Sequence, residues 1–174
     1  MTNQVLETIK ARRSIRAFTK QNISRENLEL LTEAARYAPS GFNQQTWKFT
    51  VVQRPEMLKK LANAIAKELD RGEDYCFYHA NVIILASNER DNHLGIQDCA
   101  CALENIFLAA QSLGIGSVWI NQLSGICDVP EIRLVLNELR LPKNHIVLGM
   151  AALGYAAAPG RPANKREDVV EWIL

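Results

Sequence analysis

Hydrophobic residues along the chain follow two spacings, one typical of helices and one typical of strands. Apolar positions three and four residues apart predict helices over residues 3–13, 24–37, 55–69, 95–113 and 130–139. Short runs rich in β-branched and aromatic residues predict strands over residues 47–52, 81–87, 117–120 and 145–155. Because about five helices alternate with about four strands, the pattern indicates a sheet with helices packed on it.

Two predicted elements are more apolar than a surface element needs to be. Residues 82–86 form a continuous apolar run, which is typical of a strand buried on both faces. The helix over 95–113 is apolar nearly all round and marks a core or interface element, while Asp98 and Glu104 exclude a membrane span. Together with the apolar end at 169–174, this surface favours a homodimer with an exchanged C-terminal arm, although core helices can also be this apolar.

Composition limits the class of protein. The chain has 174 residues, of which 48% are hydrophobic, and a formal charge of +1. This length suits a single domain over residues 1–174, and the near balance of charge argues against binding to nucleic acid or to an anionic membrane surface. The start at Met1–Gln4 is polar and has no signal-peptide core, so we predict a cytoplasmic protein.

The chain has no recognisable catalytic or metal-binding motif that could carry out a reaction without a cofactor. The four cysteines make no disulfide framework at this length. Cys99 and Cys101 would point to different sides of a helix, so we expect them to be buried free thiols rather than a metal or redox site. The histidines lack metal-ligand spacing, and the chain has no dinucleotide-binding, Walker, zinc-protease or serine-hydrolase motif. If the protein is an enzyme, a cofactor is expected to carry the chemistry.

Three polar segments are candidates for holding such a cofactor. Residues 12–16 contain three arginines and a serine, residues 38–47 form an amide-rich loop, and Lys165–Arg166 add a basic pair. Arginine forks suit phosphate and amides suit a planar heterocycle, so we predict that the segments converge on one phosphorylated, ring-containing cofactor. Gly41 is free to bring backbone close to a ligand or to take a positive φ. The alternative is that the arginines form a solvated helix end, which gains only ~0.3–1 kcal/mol from the helix dipole.

In the order in which they occur, these segments resemble the motifs of the FMN-dependent nitroreductase family. Residues 12–18, RRSIRAF, are similar to its Arg-Arg-Ser-x-Arg-x-Phe start, and residues 38–47, APSGFNQQTW, to its Pro-Ser-x-x-Asn-x-Gln-Pro-Trp loop. Residues 113–120, LGIGSVWI, are similar to its Leu-Gly-Leu-Gly-Ser-x-Trp segment. Residues 152–155 followed by Lys165–Arg166 are similar to its Ala-Leu-Gly-Tyr-Pro strand and basic tail. The matches cover essentially the whole chain.

The resemblance implies an α+β fold: a three-layer α-β-α sandwich with a mixed, mostly antiparallel sheet, in a homodimer with one FMN in each site at the subunit interface. Carried over position by position, it implies FMN contacts from Arg12, Arg13, Ser14, Arg16, Pro39, Ser40, Asn43, Gln45, Trp119, Ile120, Asn121, Lys165 and Arg166. The loop residues among them would reach the flavin from the partner subunit, and a backbone N–H near Ile120 would face flavin N5. The chain departs from the family at Thr46 and Ala156, which replace prolines, and at Asn121, where several relatives have an acidic residue.

The implied reaction is a ping-pong transfer of hydride from NADH or NADPH, through flavin N5, to a flat small-molecule acceptor such as a nitroaromatic or a quinone. No side chain is implied as catalytic, and Arg16 is the candidate that stabilises the reduced flavin. Phe42 and Tyr78 are candidate walls for the acceptor, with core or dimer packing as the alternative. In this short chain, the helical excursion of larger nitroreductases is expected to shrink to residues 71–79. Specialised chemistry on the same scaffold, or flavin binding or sensing without turnover, stay open as alternatives.

Overall fold

The computed structural model describes residues 3–174, so the first two residues of the predicted polar start lie outside it. Within these residues the α-helices are α1 (Gln4–Ala11), α2 (Arg25–Arg36), α3 (Pro55–Glu68), α4 (Gly95–Ser112) and α5 (Pro130–Glu138). The strands are β1 (Lys48–Val52), β2 (Val82–Glu89), β3 (Gly116–Ile120) and β4 (His145–Gly154). Short 3₁₀ helices occur at Gly41–Asn43 and Phe77–His79. Each predicted helix and strand is therefore present, close to its predicted bounds.

Local sequence signals decide where the helices begin and end. The Ser24 hydroxyl accepts a hydrogen bond from the Asn27 N–H at 3.3 Å and caps the start of α2. At the end of α4, Gly114 adopts a φ of +70°, and the N–H of the next residue, Ile115, donates to the Ala110 carbonyl at 2.8 Å. This is a Schellman cap, in which glycine supplies the left-handed residue without a steric penalty.

The strands form one sheet in the order β1-β2-β4-β3, and each neighbouring pair is antiparallel. The sheet was predicted to be mixed but mostly antiparallel. Within residues 3–174, its parallel part is one isolated bridge between Ser14 and Ser117. β1 and β3 are therefore the edge strands. The bridge identifies the β3 edge as the place where the N-terminal segment meets the sheet.

Helices cover both faces of the sheet, which confirms the predicted three-layer α+β sandwich. On one face, α2 and α4 pack on the side chains of Val82 and Ile84. On the other face, α3 and α5 pack on Ile83 and Leu85. Because successive residues of β2 point to opposite faces and both faces are covered, the continuous apolar run at 82–86 is fully buried, as predicted.

Some apolar surface remains exposed. α1 has no buried residue, and its apolar side chains Val5, Leu6 and Ile9 are about half exposed or more. The C-terminal residues 169–174 are exposed as well, and Trp172 is 74% exposed. The apolar face of α1 was predicted correctly as a pattern, but it is not covered within its own chain. Exchange of the C-terminal arm in a dimer stays a prediction.

The four cysteines are free, as expected. Cys99 is buried, as expected, but the expected burial is wrong for Cys101, which is exposed because it lies on the opposite side of α4. Burial raises the pKa of the Cys99 thiol to about 12, with a smaller effect of the nearby Asp98 charge in the same direction. A buried protonated thiol acts as a small apolar side chain rather than as a nucleophile.

Candidate functional site

The first candidate segment, residues 12–16, and the three residues after it cross the edge of the sheet beside β3. The Ile15 N–H donates to the Ser117 carbonyl at 2.9 Å. Farther along, the Thr19 N–H donates to the Tyr155 carbonyl at 2.8 Å, just beyond the end of β4. These backbone hydrogen bonds hold the extended chain between α1 and α2 against the sheet, so the arginines of this segment project from a fixed support.

The end of α1 and the C-terminal tail enclose a cavity of about 550 Å³, here called the basic cavity. Its lining residues are Ile9, Lys10, Arg12, Arg13, Ser14, Arg16, Arg161, Ala163 and Lys165. The structure therefore brings the predicted group at 12–16 together with Lys165 from the opposite end of the chain. Arg161 lies there too and was not predicted, because a single arginine in an extended tail gives no local signal.

Most of the positive charge in the basic cavity is unpaired within residues 3–174. Arg12 Nε lies 3.8 Å from Glu104 Oε1. Within the described residues, this is the ion pair that a lining residue of the basic cavity forms. Arg13 turns its Nη1 towards the chain and donates to the carbonyls of Lys10 at 2.7 Å and Arg12 at 2.6 Å. Arg16 and Lys165 form no ion pair with a described residue. The donor set therefore suits an anion with several oxygen atoms, such as a phosphate.

Arg166 differs from its neighbour Lys165. Its Nη2 and Nε donate to the two carboxylate oxygens of Asp168, at 2.9 and 3.2 Å. It does not line the basic cavity. Of the two predicted basic residues in the tail, Lys165 therefore lies at the site and Arg166 lies outside it.

A second cavity of about 640 Å³, here called the aromatic cavity, meets the basic cavity at Arg16. It is lined by Arg16, Ala17, Phe18, Arg71, Gly72, Asp74, Tyr75, Cys76, Tyr78, His79, Ile120 and Gln122. Ile120 and Tyr78 had been predicted at the ring and at the acceptor pocket. The Arg16 guanidinium carbon lies 5.9 Å from the centroid of the Tyr78 ring, which is cation–π distance.

The connection between α3 and β2, residues 71–79, forms much of the wall of the aromatic cavity. Its residues Phe77–His79 have left-handed backbone, with φ of 51°, 60° and 59°. Such backbone costs non-glycine residues about 1–2 kcal/mol each and tends to occur at functional sites. Burial raises the pKa of the Tyr75 phenol, against an opposing effect of Arg71, and its hydroxyl has no hydrogen-bond partner among residues 3–174. The shortened excursion predicted here thus still shapes a cavity.

The second candidate segment, the loop 38–47, lies outside both cavities of its own chain. Its predicted flavin residues Pro39, Ser40, Asn43 and Gln45 line neither cavity. Phe42, a candidate wall of the acceptor pocket, does not line either cavity and is 91% exposed. Because the resemblance places these residues against the flavin of a partner subunit, their contact with FMN stays a prediction.

Buried polar contacts fix the conformation of this loop. The Asp98 carboxylate on α4, only 3% exposed, accepts a hydrogen bond from the Gly41 N–H at 2.8 Å. The expectation of a positive φ at Gly41 is wrong, since the left-handed residues are its neighbours Phe42 and Asn43, with φ of 52° and 56°. A side chain at Gly41 would overlap Leu94, so glycine serves close packing at this position.

The end of β3 carries the predicted ring-contacting residues. The Trp119 ring centroid lies 6.0 Å from that of Phe107 on α4, and Trp119 Nε1 donates to Asn121 Oδ1 at 3.5 Å. The backbone N–H of Asn121, one candidate for the donor near flavin N5, donates to Gln122 Oε1 at 3.1 Å. Gln122 was not predicted, because glutamine in a loop has no distinctive pattern, yet its side chain both lines the aromatic cavity and binds this amide.

Within residues 3–174, no group of three or more His, Cys, Asp or Glu side chains could hold a metal ion. No helix in this part of the chain is both long enough and apolar enough to cross a membrane.

Comparison with known proteins identifies the family. The model of the nitroreductase family matches residues 9–155. The crystal structure of a nitroreductase with bound FMN from Bacteroides fragilis has a TM-score of 0.92 and 42% identity, covering 99% of this chain and 100% of that one. A protein of Archaeoglobus fulgidus whose name includes NAD(P)H nitroreductase is 38% identical over 156 residues, 87% of this chain and 85% of that protein. An FMN reductase (NAD(P)H) of Bacillus subtilis is 27% identical over 176 residues, 92% of this chain and 71% of that protein. With the arginine segment, the β3 segment and the fold all in agreement with these matches, the chain belongs to the nitroreductase family.

Proposed function

We propose that the protein is an FMN-dependent NAD(P)H oxidoreductase that passes hydride through flavin N5, by a ping-pong mechanism, to a flat small-molecule acceptor such as a nitroaromatic or a quinone. The observation that carries the proposal is the position of Arg16, which lines both the basic cavity and the aromatic cavity. A cation shared by a phosphate-type site and a ring-type site suits one ligand that has both parts. The FMN-bound nitroreductase of B. fragilis and the FMN reductase of B. subtilis support the same cofactor and donor.

The residues of the basic cavity fit the phosphate end of FMN. They combine the Ser14 hydroxyl with six cationic side chains, of which only Arg12 pairs with a carboxylate within residues 3–174. A phosphate monoester carries about −1.5 to −2 charges at neutral pH and offers oxygens that suit guanidinium forks. The tail is seated against this site, because a side chain at Gly160 would overlap that of Arg13.

When bound, FMN supplies the N5 atom that accepts hydride from NAD(P)H and gives it to the acceptor. The chain's own residues bind, orient and stabilise. Arg16 holds a fixed positive charge between the two cavities, where it favours negative charge on a reduced ring. The ring of Tyr75 adds flat aromatic surface to the wall of the aromatic cavity. Phe18 and Ile120 add apolar surface that excludes water from part of that cavity.

We propose further that two chains form a homodimer in which the C-terminal arm is exchanged and the loop 38–47 reaches the flavin of the other subunit. The exposed apolar side chains of α1, the loop and residues 169–174 support this, since burying them against a second chain would be favourable. Light scattering on the full chain should give the mass of a dimer. The variant Trp172→Glu should weaken the dimer, whereas Lys67→Glu, on the exposed side of α3, should not. A monomeric wild-type protein would contradict this part of the proposal.

The visible spectrum of the purified protein tests the proposed function directly. We expect a yellow protein with an FMN spectrum that bleaches when NADH or NADPH is added without oxygen, and that recovers its colour when an acceptor is added. A yellow protein that neither donor bleaches would favour flavin binding or sensing without turnover. A colourless protein that cannot take up added FMN would refute the proposal.

A further inference from the structure

The wall formed by residues 71–79 carries a recognition element that the proposed reaction does not use. The Arg71 guanidinium carbon lies 5.6 Å from the centroid of the Tyr75 ring. Both residues line the aromatic cavity. At this cation–π distance the ring attracts the charge without using the N–H donors of the guanidinium, which remain available to a ligand.

Arg71 is exposed and has no acidic partner within residues 3–174. It differs in this from Arg54, which pairs with Glu56 at 3.6 Å. One acidic residue, Asp74, lines the same cavity. Its carboxylate lies over Gly72, 2.7 Å from the position that a Cβ at Gly72 would occupy. Arg71 is thus the free cation of this wall, and Asp74 is the group that would repel an anion.

Arg16 and Arg71 are suited to different parts of a bound assembly. Arg16 also lines the basic cavity and is assigned there to the cofactor. Arg71 lines the aromatic cavity but not the basic cavity, and the aromatic cavity has a volume of about 640 Å³, within the usual range of about 300–1,000 Å³ for ligand pockets. The phenol of Tyr75 next to it has no hydrogen-bond partner among the described residues. Because that hydroxyl oxygen is buried, it is not exposed to a ligand in the cavity, and the wall offers the Arg71 guanidinium, supported by the Tyr75 ring, for contact with an anion.

We propose that Arg71, held on the Tyr75 ring, binds an acidic group carried by the flat molecule that occupies the aromatic cavity. The inference rests on the proposed function and names a property of its substrates. Such a group has two sources: a carboxylate on an aromatic acceptor, or the phosphates of NAD(P)H. In both cases the ring lies in the cavity and the anion lies at Arg71.

Equilibrium binding tests the site without turnover. The oxidised holoprotein is titrated with benzoate and with benzamide, a neutral molecule of the same shape, and the change in flavin absorbance is followed. Wild-type protein should bind benzoate about fivefold more tightly than benzamide, the factor expected of one partly exposed charge pair. Arg71→Met keeps the apolar stem and should remove this preference. Arg54→Met, at an exposed arginine outside the cavity, should leave it intact.

A substitution that is expected to strengthen benzoate binding separates recognition of charge from damage to the structure of the wall. Asp74→Asn removes the repelling carboxylate and should strengthen benzoate binding about twofold to fivefold without changing benzamide binding. A variant that only loosened the wall would weaken both ligands. The two substitutions therefore separate recognition of charge from loss of shape.

The two half-reactions identify the source of the anion. If an acidic acceptor is the partner, Arg71→Met should reduce kcat/KM for 4-nitrobenzoate but not for 4-nitrobenzamide, and flavin reduction by NADH should be unchanged. If the phosphates of the donor are the partner, the dissociation constant of NADH in flavin reduction should rise and the two acceptors should be unaffected. Equal benzoate and benzamide affinities in the wild type, together with unchanged half-reactions in Arg71→Met, would overturn the proposal. Failure of NADH and NADPH to bleach the wild-type flavin would instead refute the proposed function, while the benzoate titration would still report on Arg71.

Discussion

Lys165 and Arg166 are adjacent basic residues that the structure separates, and replacing each with glutamine should give different results. Lys165 lines the basic cavity, whereas the guanidinium of Arg166 is held by Asp168 outside it. Lys165→Gln should therefore weaken FMN binding, and Arg166→Gln should leave it unchanged. The two substitutions alter the net charge equally, so a general effect of charge would appear in both variants.

The size of the effect follows from the charge of the phosphate and the exposure of the lysine. Two unit charges 4 Å apart in water interact by about 1 kcal/mol, and a phosphate monoester carries about −1.5 to −2 charges. Since Lys165 is exposed, the dielectric constant of water is the appropriate limit. The expected loss is about 1–2 kcal/mol, or about 5- to 30-fold in the Kd of FMN. It should shrink as ionic strength rises, because the Debye length falls from about 30 Å at 0.01 M to about 8 Å at 0.15 M.

Titration of the apoprotein with FMN, followed by flavin fluorescence at these two ionic strengths, measures the effect. Riboflavin, which lacks the phosphate, is the matched ligand, and Lys165→Gln should not change its affinity. Far-UV circular dichroism should show that both variants keep the fold. An equal loss in Arg166→Gln, or an equal loss for riboflavin, would refute the assignment of Lys165 to the phosphate.

Three further predictions concern stability. Leu103→Ala, at a fully buried position of α4, should lower the free energy of unfolding by about 2–5 kcal/mol in chemical denaturation, and a loss below about 1 kcal/mol would contradict its place in the core. Gly114→Ala should cost about 1–2 kcal/mol in the same assay, since Gly114 has a φ of +70° and no atoms lie near enough for a clash to contribute. Hydrogen bonds from Arg90 and then Arg133 lower the pKa of Asp128 to about 2, so its stabilisation is complete above about pH 4 and is lost as the pH falls towards 2. Asp128→Asn should therefore lower the melting temperature slightly at pH 6 and leave it unchanged near pH 2, the effect at pH 6 staying below about 1 kcal/mol because Asp128 is largely exposed.

Sequence reasoning succeeded where one local interaction decides the structure. Ser24 predicts the start of α2 because its hydroxyl reaches an N–H three residues away. The spacing of Leu28, Leu31 and Ala35 predicts the buried face of that helix, because positions three and four apart share one side. The continuous run at 82–86 predicts a strand buried on both faces, since a half-exposed strand would need alternating polar residues. In each case the determining contact lies within a few residues.

Reasoning failed where the determining contact comes from far away in the chain. Gly41 does not take the positive φ that glycine allows, and the close contact that the structure shows at this position is with Leu94, more than fifty positions later. Arg161 joins the basic cavity only because the tail returns to the end of α1, which no local pattern encodes. Lys165 likewise lies beside the arginines of residues 12–16 only because the tail returns to that end of the chain. These are tertiary effects, and propensity and periodicity contain no information about them.

The position of the candidate site follows from the open edge of the sheet at β3. An edge strand presents backbone N–H and C=O groups without partners, which is a liability unless something covers them. The N-terminal segment pairs with β3 only near its start, through the Ser14–Ser117 bridge and the bond from Ile15. Just beyond Ile120, the backbone N–H of Asn121 donates a hydrogen bond to the side-chain oxygen of Gln122 instead of to another strand. A side-chain oxygen is easily displaced, whereas a paired strand is not. In the proposed function, the same edge would remain satisfied in the free protein and offer a backbone donor to the flavin ring, and the two cavities, the arginines and the end of β3 all lie at this edge.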